Sequence, residues 1–106
     1  MSNFEAYLGF TGRTGTVFVS GELDVDTAPV FRSLVEQAVQ RPLDRLVIDL
    51  TGLSIMSSAG VRALVFAQQE LPPGASIIVV GAGPEVVKII QLAGFDQAIT
   101  IADRAA

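Results

Sequence analysis

Along the chain the apolar residues recur first at every second position and later at every third or fourth. Thr16 to Ser20 (TVFVS) alternates polar and apolar side chains, and Gly12 and Gly15 just before it mark a turn from an earlier strand near Ala6 to Phe10. The two segments predict an opening hairpin. After GELD, at Gly21 to Asp24, the period changes: Val30, Phe31, Leu34, Val35 and Ala38 recur at helical spacing, with Asp26 or Thr27 as N-cap and Pro29 in the first turn. That stripe predicts a first helix with one buried side.

Arg45 to Leu50 (RLVIDL) is a short apolar run bounded by Pro42 and Gly52. It suits a strand buried on both faces, with Asp49 near its C-terminal end, better than a helix too short to nucleate. A loop through Ser54 leads to SSAGVRALVFAQQE, where a serine cap precedes Val61, Leu64 and Val65 on one face, and Gln68, Gln69 and Glu70 close the polar side. Leu71 and Pro72 end this second helix.

Ser76 to Val80 (SIIVV) is a β-branched run typical of a central strand. Gly81 and Gly83 break it, and Pro84 opens a third helix carrying Val86, Val87, Ile89, Ile90 and Ala93. Gly94 suits the position just past its end. A short strand from Ala98 to Ile101 leaves Asp103 to Ala106 as a frayed tail. The order ββαβαβαβ predicts one α/β domain spanning residues 1–106, a mixed central β-sheet with helices and right-handed crossovers between parallel neighbours.

Composition narrows the function. Half of the 106 residues are hydrophobic and 17% are charged, which suits a folded core and leaves no room for a second domain. Seven basic residues stand against eleven acidic ones, a formal charge of −4, with no basic cluster to neutralise a row of phosphates, so nucleic acid is not expected as a partner. Without cysteine or histidine the chain lacks thiol and imidazole chemistry and most transition-metal ligands, so no cofactor and no metal are expected. The N-terminus MSNFEAYLGFTG does not read as a secretory signal, and no apolar stretch approaches the roughly 18 residues of a membrane span. A cytoplasmic location without membrane insertion is the expectation.

Candidate chemistry concentrates at the join between the third strand and the second helix, LVIDLTGLSIMSSAGVRAL. Ser57 and Ser58 stand where the helix begins, beside unpaired N–H groups and the positive end of the helix dipole. From the residues alone, the two serines could cap the helix, bind an anion or be modified.

Three segments together resemble the STAS family, named for sulphate transporters and anti-sigma factor antagonists. They are GELDVDTAPVFR at Gly21 to Arg32, the stretch Val47 to Leu64, and GPEVVKIIQLAGFDQAI at Gly83 to Ile99, covering nearly the whole chain. In the family's pattern an acidic residue, a phosphorylatable serine or threonine, a small residue and glycine open this helix. Ser58, Ala59 and Gly60 fit the last three positions, while Ser57 stands where the family usually has aspartate.

The resemblance implies a bacterial anti-sigma factor antagonist that binds an anti-sigma factor of the GHKL serine-kinase type and releases a sigma factor. It implies no catalysis, and it implies that phosphorylation of Ser58, with Ser57 the lesser acceptor, ends the binding. The expected partner surface is Asp24, Thr27, Ser57, Ser58, Gly60, Val61 and Arg62. Weak self-association is compatible with it. The same family includes accessory subunits of lipid-transport ABC systems and scaffold components of stress-sensing complexes, which are the alternative functions. Asp24 also reads as a turn or cap side chain, and Asp49, though it matches the family's pattern, as a carboxylate satisfying loop N–H groups.

Two enzyme readings fare poorly. VVGAGPEVV sets glycines between strand and helix as nucleotide-binding loops do, yet the third glycine is missing and Pro84 lacks an N–H. Ser57 and Ser58 have no histidine to act as base, and Lys88, the only lysine, is expected on the surface of the third helix.

Overall fold

The computed structural model describes residues 3–94 and 99–102. The elements are β1 (Glu5–Thr11), β2 (Thr14–Leu23), α1 (Ala28–Ala38), β3 (Arg45–Met56), α2 (Ser58–Glu70), β4 (Ser76–Val80), α3 (Pro84–Leu92) and β5 (Thr100–Ala102). One five-stranded sheet runs in the order β1-β2-β3-β4-β5. The hairpin β1–β2 is antiparallel, and β2 to β5 are parallel neighbours. The expected mixed sheet and the order ββαβαβαβ are both present.

The strand β3 is twice the length its apolar run suggests. It continues past Leu50 to Met56, so the segment through Ser54 is strand and Asp49 lies mid-strand. The cause is β2, which also runs on, to Leu23, and keeps β3 paired as far as Leu23↔Met56 across two register shifts. Glycines make that possible. Gly21 has φ +89°, and a Cβ on Gly52 would lie 2.7 Å from Ser20 Cβ.

Burial alternates along the strands and assigns all three helices to one face. Val17, Val19, Leu46, Ile48, Leu50, Ile77 and Val79 point into a single core that also holds Phe31 and Val35 of α1, Leu64 and Ala67 of α2, and Val86 and Ile90 of α3. Between them Phe18, Val47, Asp49, Ile78 and Val80 remain half-buried on the opposite face. The expectation that Arg45 to Leu50 is covered on both faces is therefore corrected: one face packs and the other is open.

Helix α1 turns its stripe slightly from the expected one, burying Ala28, Phe31, Val35 and Ala38 while Val30 is 47% exposed. Helix α3 stops where expected, with Gly94 at φ +80° following the C-cap Ala93. The final strand is Thr100–Ala102, one residue beyond the expected end. Its expected start at Ala98, and the tail from Asp103 to Ala106, lie outside the described residues. No helix among the described residues is long and apolar enough to cross a membrane.

Candidate functional site

Helix α2 begins against the C-terminal ends of β2 and β3. Ser57 is its N-cap, in extended conformation at φ −88° and ψ 178°, and its Oγ accepts the Ala59 N–H at 3.2 Å. The Ser57 N–H donates in turn to the Leu23 carbonyl at 2.9 Å. Of the roles open to the serine pair, capping thus falls to Ser57, which is half-buried.

Ser58 is the first residue of the helix and is exposed. Its hydroxyl has no hydrogen bond to any other described side chain or backbone group. Ser58 opens onto a groove of about 470 Å³ between α2 and α3, lined by Met56, Val61, Arg62, Ile89, Leu92 and Ala93. Leu92 is 79% exposed and Ile55, at the end of β3, 52% exposed. Arg62 stands one turn along α2 from Ser58, and it also borders a second depression with Val25, Pro29 and Arg32.

Gly60 and Val61 are both buried. A Cβ on Gly60 would stand 2.8 Å from Met56 Cγ and 2.9 Å from the Leu23 carbonyl oxygen, so the glycine lets the helix sit down on the strand ends. Val61 is 7% exposed and forms the floor beneath the groove. These two residues shape the surface, whereas Ser58 and Arg62 stand proud of it.

The GELD corner lies beside this helix start because Leu23 and Met56 are register partners. Asp24 Oδ1 accepts the N–H groups of Asp26 at 2.9 Å and Thr27 at 3.1 Å. Thr27 Oγ1 donates to the Glu22 carbonyl at 2.8 Å and accepts the Asp24 N–H at 2.9 Å. Thr27 occupies the N-cap position of α1, yet its hydroxyl makes no capping bond to that helix. Asp24 and Thr27 therefore lock the turn, which is the structural role weighed for Asp24, while both remain only half-buried.

Asp49 lies apart from the serine pair, on the open sheet face, where its carboxylate accepts the Thr51 N–H at 2.9 Å. The glycine loop after β4 is a tight turn: Gly81 has φ +72°, and a Cβ there would meet the Thr51 backbone at 3.0 Å. Gly83 caps α3 without a side chain, and Pro84 follows at the first turn. No group of metal-ligating side chains occurs among the described residues.

What the sequence reading missed is the apolar wall opposite Ser58. Its signal was present in α3, whose apolar residues are too numerous for one face: Val86 and Ile90 fill the core, Ile89 is half-buried between core and groove, and Leu92 turns outward. A STAS domain family model matches residues 8–106. The chain belongs to the STAS family. Solved structures resemble this STAS domain closely in fold. An anti-sigma factor antagonist from Mycobacterium paratuberculosis is 27% identical with a TM-score of 0.86, covering 93% of this chain and 85% of that one.

The anti-sigma factor antagonist SpoIIAA in its unphosphorylated form is 24% identical with a TM-score of 0.83, over 95% and 89% of the two chains. The phosphorylated form of SpoIIAA, a Bacillus cell fate determinant, is 23% identical with a TM-score of 0.75, over 95% and 92%. A search among curated protein sequences finds no match. The STAS domain thus shares its fold with anti-sigma factor antagonists.

Proposed function

We propose that this STAS domain is a non-catalytic anti-sigma factor antagonist, acting in the cytoplasm, that binds an anti-sigma factor of the GHKL serine-kinase type through the start of α2 and so frees a sigma factor. The observation that carries the reading is the division of labour between the two serines. Ser57 spends its oxygen on the cap, and Ser58, one residue on, keeps an unengaged hydroxyl at the edge of an apolar groove.

Phosphorylation of Ser58 is the proposed switch. Transfer of the γ-phosphoryl group of ATP to Ser58 Oγ, with release of ADP and of the hydroxyl proton, adds about 1.5 to 2 negative charges at the first turn of α2, where the helix dipole favours an anion. The domain tolerates the group. A partner seated over Met56, Ile89 and Leu92 does not, because burying that phosphate without a matched cation costs several kcal/mol, at least a hundredfold in affinity. SpoIIAA, a structural neighbour, exists in phosphorylated and unphosphorylated forms.

Ser57 also bears on the missing aspartate. Serine and aspartate are comparably good N-caps, so the substitution preserves the helix start and removes only a charge beside the hydroxyl. The proposed contact surface comprises Ser58 and Arg62 with Leu92 and Ile89, over a floor of Gly60 and Val61, and Asp24 and Thr27 hold its border.

The test is affinity capture from the native cell followed by intact-mass analysis of the captured and free domain. Recovery of a GHKL-type kinase with unmodified domain, and of a phosphate adduct on the peptide containing Ser57 and Ser58 in the free pool, supports the proposal. Recovery of a transporter ATPase subunit, or of a large scaffold assembly, overturns it in favour of the other roles this family fills.

A further inference from the structure

Among the described residues nothing covers one face of the sheet. Strands β2 to β5 are parallel, and parallel sheets are ordinarily covered on both faces. Among the described residues every helix packs on the same side. The register sets Tyr7, Phe18, Asp49 and Val80 in one row across the open side, and Thr16, Val47 and Ile78 in the next. Tyr7 is 61% exposed and stacks on Phe18 with ring centroids 4.6 Å apart.

Charge divides along β3. Arg45 stands at one end of this apolar strip and Asp49 at the other, a separation of about 13 Å for four residues of strand. Arg45 is exposed and has no carboxylate within ion-pair reach among the described residues, where Arg13 pairs with Asp44 at 2.9 Å. A face that is apolar in the middle, positive at one end and negative at the other is complementary to itself when turned round.

We propose that the open face is covered by a second copy of the chain, sheet on sheet. A twofold axis lying between two such faces, across the strands at the level of Val47, lays β3 antiparallel on its counterpart. Arg45 of each copy then meets Asp49 of the other, and Val47, Ile78 and Phe18 are buried between the two sheets, away from water. The contact is isologous. Five strands by about five residues give a face of about 400 Å², half the roughly 800 Å² per partner of a standard interface, so the dimer is transient. It leaves the start of α2, on the helical side, free for a partner, and it does not depend on what that partner is.

The experiment is sedimentation equilibrium of the whole chain from about 10 µM to about 1 mM, the range suited to so small a contact. The wild type moves from monomer toward dimer across it. Arg45→Asp and Asp49→Arg each oppose like charges and weaken association by about tenfold or more. Mixed in equal amounts, the two variants dimerise again, because the heterodimer restores both opposite-charge pairs. Asp49→Asn, which keeps an oxygen for the Thr51 N–H, also weakens association and guards against loss of fold in the reversal. A wild type that stays monomeric at about 1 mM, or variants that associate as the wild type does or fail to complement, overturns the proposal.

Discussion

The N–H of Ser57 donates to the carbonyl of Leu23 at 2.9 Å, and this bond ties the start of α2 to the end of β2. It fixes the helix entry so that the Ser57 hydroxyl accepts the Ala59 N–H two residues on and the Ser58 side chain faces out. Two neighbouring serines of identical chemistry thereby acquire different duties from backbone geometry alone.

Ser57→Ala removes the cap and is expected to cost about 1 kcal/mol, lowering the thermal midpoint by several degrees. Ser57→Asp supplies another capping oxygen and restores the midpoint. A calorimetric comparison of the three proteins checks both statements, and an unchanged midpoint in Ser57→Ala contradicts the cap.

Gly60→Ala forces a methyl group to 2.8 Å from Met56 Cγ and 2.9 Å from the Leu23 carbonyl oxygen. Met56 can give way, but the backbone oxygen cannot without moving β2, so a loss of about 1 to 3 kcal/mol is expected by denaturant unfolding. The variant weakens partner binding as well, since α2 is displaced.

Asp24→Ala strips the acceptor from the Asp26 and Thr27 N–H groups and is expected to cost about 1 to 2 kcal/mol in urea unfolding. Asp24→Asn keeps an acceptor oxygen and holds most of the stability. If Asp24→Asn retains the fold and still loses the partner, the carboxylate charge contributes to recognition beyond its part in the turn.

Leu92→Ser separates binding from folding. Leu92 is 79% exposed on the groove wall, so its replacement changes stability by no more than about 0.5 kcal/mol. Loss of its apolar contact is expected to weaken the partner complex about tenfold or more in isothermal titration. Unaltered affinity removes the α3 wall from the docking surface.

Much of this was legible in the residues. The periods of TVFVS, RLVIDL and SIIVV gave strands, and the stripes after GELD and SSAG gave helices, because each local preference agrees with the packing it meets. Three features were not. The extension of β3 to Met56 depends on pairing with β2 and on Gly21 and Gly52, a long-range match that no window of β3 contains. The open sheet face was hidden because Val47, Ile78 and Val80 are as apolar as the core residues beside them. The choice between Ser57 and Ser58 as cap turned on one residue of helix boundary, a distinction that capping preference cannot make for two adjacent serines.

The central claim is that the free hydroxyl of Ser58 admits a partner and a phosphate there excludes it. The most direct measurement is the affinity of the captured kinase for purified domain carrying unmodified Ser58, phosphorylated Ser58 or the change Ser58→Asp, with thermal midpoints recorded in parallel. The account predicts at least a hundredfold weaker binding for the phosphorylated domain, a marked loss for Ser58→Asp, and midpoints within a few degrees of one another. Equal affinity for the unmodified and phosphorylated domains contradicts it.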